Sequence, residues 1–174
     1  MKHIPKPQAG EYAPYAIMYI GLLPDDGLVL QHMWDNLAAV KNLIAPLPED
    51  KLVTPHAAGE WTIKEILVHI IDDERIYSYR ALRFARNDPT PLPGFDQEHY
   101  AAYSGAIERS MEDIWGEYTA VRSATIALFN GLPDAALTRA GVANNHRMSV
   151  RAAAYHIAGH ELHHLNSIRQ NYQL

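Results

Sequence analysis

The chain contains no cysteine among its 174 residues. This absence excludes disulfide bonds, thiolate metal sites and a cysteine nucleophile, so any metal site must use nitrogen and oxygen ligands. Because extracellular proteins commonly carry disulfides, we expect an intracellular protein.

Long apolar segments and clusters of basic residues are also absent. No stretch approaches the ~18 consecutive apolar residues of a membrane-spanning helix, and the N-terminus lacks the apolar region of a signal peptide. The formal net charge is -5, and no run of lysine or arginine offers a surface for nucleic-acid phosphates. The sequence therefore predicts a soluble cytoplasmic protein that binds neither membranes nor nucleic acids.

Helical periodicity dominates what is present. Hydrophobic residues make up 48% of the chain, which suits one compact domain. Residues 1–24, rich in proline and tyrosine, are expected to form an arm packed on a domain of residues 25–174. No segment shows a convincing strand alternation, so the predicted fold is all-α. The four predicted helices cover about 27–45, 62–87, 105–130 and 149–172.

An internal repeat relates the two halves of this domain. Residues 47–52 resemble residues 132–137, and residues 61–70 resemble residues 148–157. Each half is a helix pair with one apolar face, and two such faces are buried when the pairs pack together. We therefore predict a pseudo-twofold four-helix bundle.

Three histidines form a candidate metal site. His160 and His164 are spaced i, i+4, so they project from one face of the last helix and can share a cation. His69 is predicted to point into the bundle from the second helix and to supply the third ligand. Three imidazoles leave a coordination position open, as catalytic sites do. His156 is expected to be structural.

The last helix also satisfies the H-E-x-x-H pattern of zinc peptidases, with Glu161 as the glutamate. Such enzymes usually take their third ligand downstream, whereas no histidine or acidic residue follows here, and no strand is predicted to hold a peptide. We therefore disfavour a peptidase, but retain Glu161 as a candidate helper to a metal-bound water. Glu65, Asp72 and Asp73 are candidate acceptors for the second N–H of His69.

The segment of residues 88–104 is too long for a tight turn and is expected to cross one end of the bundle. General loop statistics favour an anchoring role for its aromatic residues over a role at the entrance of the site. Arg80, Arg83 and Arg86 follow His69 on the second helix. Solvation or salt bridges are their expected state, with an anionic substrate as the alternative.

Four segments of the chain carry a family resemblance: Trp61–His69, Tyr79–Arg86, Pro91–Asp96 and Ala158–Asn166. Together they resemble the DinB/YfiT-like metalloenzymes over about residues 25–172. The resemblance implies a four-helix bundle of up-down-down-up topology that holds a divalent metal, typically nickel or zinc, through His69, His160 and His164.

The same resemblance leaves the reaction open. Proteins of this kind include S-transferases that use bacillithiol or mycothiol, so a transferase with a low-molecular-weight thiol cosubstrate is the leading expectation. Metal-dependent hydrolysis of a small molecule is the first alternative, and a non-catalytic, stress-associated binding protein is the second. Bundles of this type often pair, and a homodimer is expected.

Overall fold

The computed structural model describes every residue from Met1 to Leu174, and most of them are helical. Four long helices form the body, as the all-α prediction requires, and their bounds agree with the predicted ones within a few residues at most ends. The helices are α1 (Ile17–Ile20), α2 (Val29–Ile44), α3 (Glu49–Val53), α4 (Ile63–Ala85), α5 (Gln97–Ala102), α6 (Met111–Gly131) and α7 (Val150–Tyr172). None of them combines the length and the apolar character that a bilayer crossing demands.

The prediction that the chain contains no strand was wrong at one place. Strands β1 (Ala140–Ala143) and β2 (His146–Ser149) form an antiparallel hairpin directly before α7. Asn144 and Asn145 both have positive φ, 49° and 63°, as the two central residues of a tight hairpin turn require. Strands of four residues are too short to display a clear alternation of polar and apolar positions.

Side-chain caps set the beginnings of the long helices. Thr62 and Glu65 form a capping box at the start of α4, a pairing that their i, i+3 spacing in the sequence predicts. The predicted third helix begins later than about residue 105, because the Ser110 hydroxyl accepts the backbone N–H of Asp113 and places the start of α6 at Met111.

Paired contacts fix the directions of the helices. Lys64 on α4 bonds the backbone oxygen of Arg109 just before α6, and further along Ser78 lies 3.0 Å from Thr125, so α4 and α6 run parallel. Contacts of α4 with α7 run in opposite order, because His69 meets His160 whereas Asp73 further along α4 also meets His156. Contacts of α2 with α6 are also antiparallel. The bundle therefore has an up-down-down-up topology.

A polar layer divides the apolar core into two clusters. One cluster contains 26 buried residues and the other contains 16. Along α4, α6 and α7, one cluster lies before the layer and the other lies after it. The buried side chains of this layer are Asp73, Glu74, Arg122, His160 and Glu161.

Arg122 is the centre of this layer, and its side chain is 0% exposed. Its guanidinium contacts Glu74 on α4 at 2.9 and 3.0 Å and Glu161 on α7 at 3.0 Å, and it donates to the backbone oxygen of Met33 on α2. The Tyr118 hydroxyl donates to the second oxygen of Glu161. One cation of α6 thus contacts the three other long helices, and the buried charges are compensated within the layer.

Residues near the N-terminus lie against α7. The Tyr155 hydroxyl on α7 donates to the backbone oxygen of Ile4 at 3.0 Å, and the Ile4 side chain is fully buried. Further along, the backbone of Tyr19 passes so close to Gly159 that a Cβ there would lie 2.3 Å from the Tyr19 oxygen. Only glycine allows this approach without a shift of the backbone.

We expect Arg122→Met to lower the free energy of unfolding by about 3–5 kcal/mol, because two buried glutamates lose their counter-ion. Urea denaturation measures this change. Arg169→Met, at an exposed arginine of α7, should change stability by less than about 1 kcal/mol. Replacing Glu74 and Glu161 by glutamine in the Arg122→Met protein should recover part of the loss, and an unchanged loss would show that lost packing, not charge, is the cause.

Gly159→Ala should displace residues 15–23 from α7, because the new methyl group meets backbone rather than a flexible side chain. Faster amide hydrogen exchange in this segment and a stability loss of about 1–3 kcal/mol are the expected results. Gly116→Ala is the matched control, since a Cβ at this exposed helical position has no neighbour within 4 Å. It should be neutral or stabilise by up to about 1 kcal/mol. Equal hydrogen exchange and equal stability of the two variants would contradict the close approach of the Tyr19 backbone to Gly159.

Candidate metal centre

The three histidines that the sequence singled out meet between α4 and α7. The Nε2 atom of His160 lies 3.1 Å from Nε2 of His69 and 3.1 Å from Nε2 of His164. One ring nitrogen from each histidine lies within 4.8 Å of the other two. His160 and His164 share a face because they are one turn apart, and the antiparallel contact with α4 adds His69.

Hydrogen bonds alone do not account for this arrangement. A ring nitrogen either donates one hydrogen or accepts one, so His160 Nε2 cannot pair with both neighbours at once. Nitrogen ligands placed 2.0–2.1 Å from one ion at angles of 90–110° lie about 2.8–3.4 Å apart. The two measured separations of 3.1 Å fall within that range. Two of the three nitrogen pairs are therefore spaced as ligands of a single divalent cation are, and the third pair lies within 4.8 Å.

Burial keeps the imidazoles neutral. It lowers the pKa of His160 to about 3 and that of His164 to about 2, and it also lowers the pKa of His69. At neutral pH each ring therefore has a nitrogen lone pair, which is the form that binds a metal.

Asp73 lies between His160 and His156. Its Oδ2 atom lies 3.3 Å from His160 Nδ1 and 3.3 Å from His156 Nε2. Burial opposes ionisation of this carboxyl, but its contacts with His160 and His156 hold its pKa below the ordinary value. With the His160 proton on Nδ1, which faces this carboxylate, the Nε2 lone pair is directed at the other two histidines.

The predicted partners of His69 have other contacts. Glu65 closes the capping box at the start of α4, Asp72 forms an ion pair on the helix surface, and Asp73 faces His160. The choice between these carboxylates depends on how α7 packs on α4, so the sequence could not make it.

His156 and Tyr19 complete the wall of the site. His156 stacks on Tyr77 with ring centroids 3.6 Å apart and lies outside the cluster of three. The Tyr19 ring makes edge contacts with His156, His160 and His163 at 5.1–5.3 Å. Sequence reasoning missed Tyr19, because nothing local predicts that a residue so distant in the chain covers the last helix. The tyrosines of the N-terminal segment were the only signal.

Two open pockets adjoin the histidines. One, of about 230 Å³, is lined by His160 together with Tyr19, Asp73 and Arg80. The other, of about 440 Å³, is lined by His164, Trp61 and residues of α5. Gln97 lines both pockets, so the histidine cluster is accessible from two sides.

The segment of residues 88–104 contributes to these walls through α5. The Trp61 indole donates to Glu98 at 3.1 Å, and the Trp61 ring lies 4.8 Å from the ring of His69. Phe95 lines the pocket next to His160, so one of the loop aromatics does lie at the site. Gln97 and Glu98 were not singled out from the sequence, because polar residues in a loop carry no local signal of position.

Glu161 lies apart from the three histidines. Although it follows His160 directly, its carboxylate faces Arg122 and Tyr118 inside the bundle and is fully buried. Consecutive helical residues point about 100° apart, which is why one faces the histidines and the other faces the buried arginine. Burial raises the pKa of Glu161 against the opposing effect of Arg122.

Fold and site together define an up-down-down-up helical bundle with a three-histidine cluster between two of its long helices. The chain belongs to the DinB superfamily, whose family model matches residues 30–168. A protein of Oceanobacillus iheyensis named "Putative metal-dependent hydrolase OB0413" is 30% identical over 128 residues, which is 71% of each chain.

A solved structure supports the fold. It is described as "YfiT from Bacillus subtilis is a probable metal-dependent hydrolase with an unusual four-helix bundle topology". The match has a TM-score of 0.75, covers 86% of each chain and has 16% sequence identity. The resemblance in sequence motifs to DinB/YfiT-like proteins is thus confirmed, as is the bundle.

Asp73→Asn should weaken divalent-metal binding by about 10- to 100-fold, because an amide holds the His160 tautomer less firmly than a carboxylate. Calorimetric titration with zinc measures the change, and Asp72→Asn, at the surface position next to it, is the matched control. Equal zinc affinity of the Asp73 variant and the wild type would contradict the orienting role of Asp73.

Proposed function

We propose that this protein is a metal-dependent enzyme in which His69, His160 and His164 hold one divalent cation, zinc or nickel, beside a pocket for a small molecule. The observation that carries the proposal is the meeting of three Nε2 atoms at the edge of an open pocket. Structural metal sites are closed by a fourth protein ligand, whereas three ligands leave a position for a reactant.

Hydrolysis is the reaction that we favour, because the relative and the structural match described above both carry the name of a metal-dependent hydrolase. A cation at this place would supply Lewis acidity, which polarises a carbonyl and acidifies water. Asp73 keeps the proton of His160 on Nδ1, and Tyr19 shields one side of the rings from solvent.

We assign Glu161 to the stability of the bundle and not to a reacting water. Its two carboxylate oxygens are already engaged by Arg122 and Tyr118, and the side chain has no exposed surface. A general base must reach the proton that it abstracts. In zinc peptidases the glutamate of the H-E-x-x-H pattern activates a metal-bound water. Glu161 does not have this role in the reaction that we propose.

Thiol-dependent S-transfer is the second candidate. Two pockets that adjoin different histidines of the cluster, about 230 and 440 Å³ in volume, favour a reaction of two substrates. The thiol would come from a cosubstrate such as bacillithiol or mycothiol, because the chain has no cysteine. A metal-bound, stress-associated protein without turnover is the third candidate, and homodimer formation remains a prediction.

Metal binding should require all three histidines. We expect one zinc or nickel ion per purified chain by elemental analysis, and a loss of at least about tenfold in zinc affinity for His69→Ala, His160→Ala or His164→Ala, because each removes a direct ligand. His146→Ala, at an exposed position of β2, should bind zinc like the wild type. Full zinc affinity in the three ligand variants would contradict the site.

Turnover by the metal-loaded protein decides between the reactions. We expect hydrolysis of members of a panel of small esters and amides that is lost in His69→Ala. Conjugation of monochlorobimane that needs an added low-molecular-weight thiol and the same histidine would instead support the transferase. Stoichiometric metal without either activity would favour the non-catalytic candidate.

A further inference from the structure

Arg80 is buried beside the histidine site without an acidic partner. The residue is 4% exposed and lies on α4, two turns beyond Asp73. Its guanidinium stacks over the Tyr77 ring at 4.8 Å, and Nη2 donates to the backbone oxygen of Pro93 at 2.9 Å. No carboxylate lies within 4.0 Å of it, and its other N–H groups have no protein acceptor but are not sealed from solvent.

Arg122, the other buried arginine of this protein, has its charge compensated by acidic side chains. Arg122 contacts two glutamates and a backbone oxygen, so its charge is neutralised where it lies. Arg83, one turn after Arg80 on α4, forms an ion pair with Asp88. Arg80 has no such acidic partner, and its free N–H groups face open pockets, so its charge is available to an anion that enters from solvent.

Arg80 lines the pocket that His160 lines. Rings of Tyr19, Tyr77 and Phe95 also line this pocket beside polar side chains, and its volume of about 230 Å³ is slightly below the usual range of ligand sites. Arg80 and Phe95 also line an adjoining apolar pocket of about 290 Å³ that contains Leu92 and Tyr100. The Arg80 guanidinium therefore lies between the pocket next to His160 and the adjoining apolar pocket.

We propose that Arg80 binds the carboxylate of a small aromatic or apolar substrate whose reacting group faces the histidine site. This inference rests on the proposed function, since it names the substrate class of the same site. The planar guanidinium can donate two parallel N–H bonds to one carboxylate, and aromatic walls suit a planar apolar body.

A carboxylate fits this pocket better than a phosphate. Asp73 also lines it, so the pocket contains an acidic side chain besides the guanidinium of Arg80. A dianion would meet stronger repulsion from Asp73 than a monoanion does. Phosphate monoesters are therefore the alternative ligands, and their affinity is compared with that of carboxylates.

Binding of matched probes tests the proposal independently of turnover. Benzoate, benzamide and phenyl phosphate share a ring and differ in charge, and calorimetry or ligand-observed NMR measures their affinities for the full chain with zinc and after chelation. We expect benzoate to bind the chelated wild type at least about tenfold more tightly than either other probe, because Arg80 and not the metal recognises the charge.

Arg80→Gln should abolish the preference for benzoate over benzamide. Arg83→Gln is the matched control, because it removes an arginine of the same helix that lines neither pocket, and it should keep the preference. Arg80→Lys retains the cation but loses the planar fork, so it should keep only part of the preference. Retention of the full preference in Arg80→Gln, or equal affinities for benzoate and benzamide in the wild type, overturns the proposal.

A measurement on the wild type covers the case in which Arg80→Gln fails to fold. In crystals soaked with 4-bromobenzoate, the anomalous signal of bromine should place the ring against Phe95 or Tyr77, with the carboxylate within hydrogen-bond distance of Arg80. A carboxylate located elsewhere, or an adventitious additive only, overturns the proposal. Failure of turnover with a preserved benzoate preference would instead contradict the proposed reaction and leave the anion site standing.

Discussion

The polar layer across the middle of the bundle is the constraint on which the rest of the structure depends. Buried charges are tolerated only where each has a partner, and here Arg122 of α6 is compensated by carboxylates from α4 and α7. Partial slippage of any helix would separate these groups and leave charges in an apolar core. The layer therefore fixes the register of the long helices, more strictly than the apolar clusters on either side can do.

The histidine site follows from that register. Asp73 and Glu74 are adjacent on α4, as His160 and Glu161 are on α7, and in each pair one side chain faces Arg122 whereas the other faces the histidines. The ion network that stabilises the bundle thus also aligns the residues proposed to bind metal. It explains why a glutamate inside an H-E-x-x-H pattern has a structural partner.

The chemistry that we propose depends on what surrounds the three imidazoles. The N-terminal segment covers them on one side through Tyr19, while α5 and Trp61 border them on another. Pockets remain open on two sides, and the pocket next to His160 contains the one buried arginine that lacks an acidic partner. Reaction type and substrate class are therefore separable questions, since the histidines bear on the first and Arg80 on the second.

The sequence by itself determined the long helices and the three histidines, because helical period, capping residues and an i, i+4 spacing are local properties of the chain. Family resemblance added the topology. Only the tertiary structure decided that Asp73 contacts His160 and that Glu161 pairs with Arg122. It also decided that Tyr19 covers the site and that Arg80 has no acidic partner. These contacts join segments that are far apart in the chain, and local sequence patterns do not predict which buried polar groups become partners.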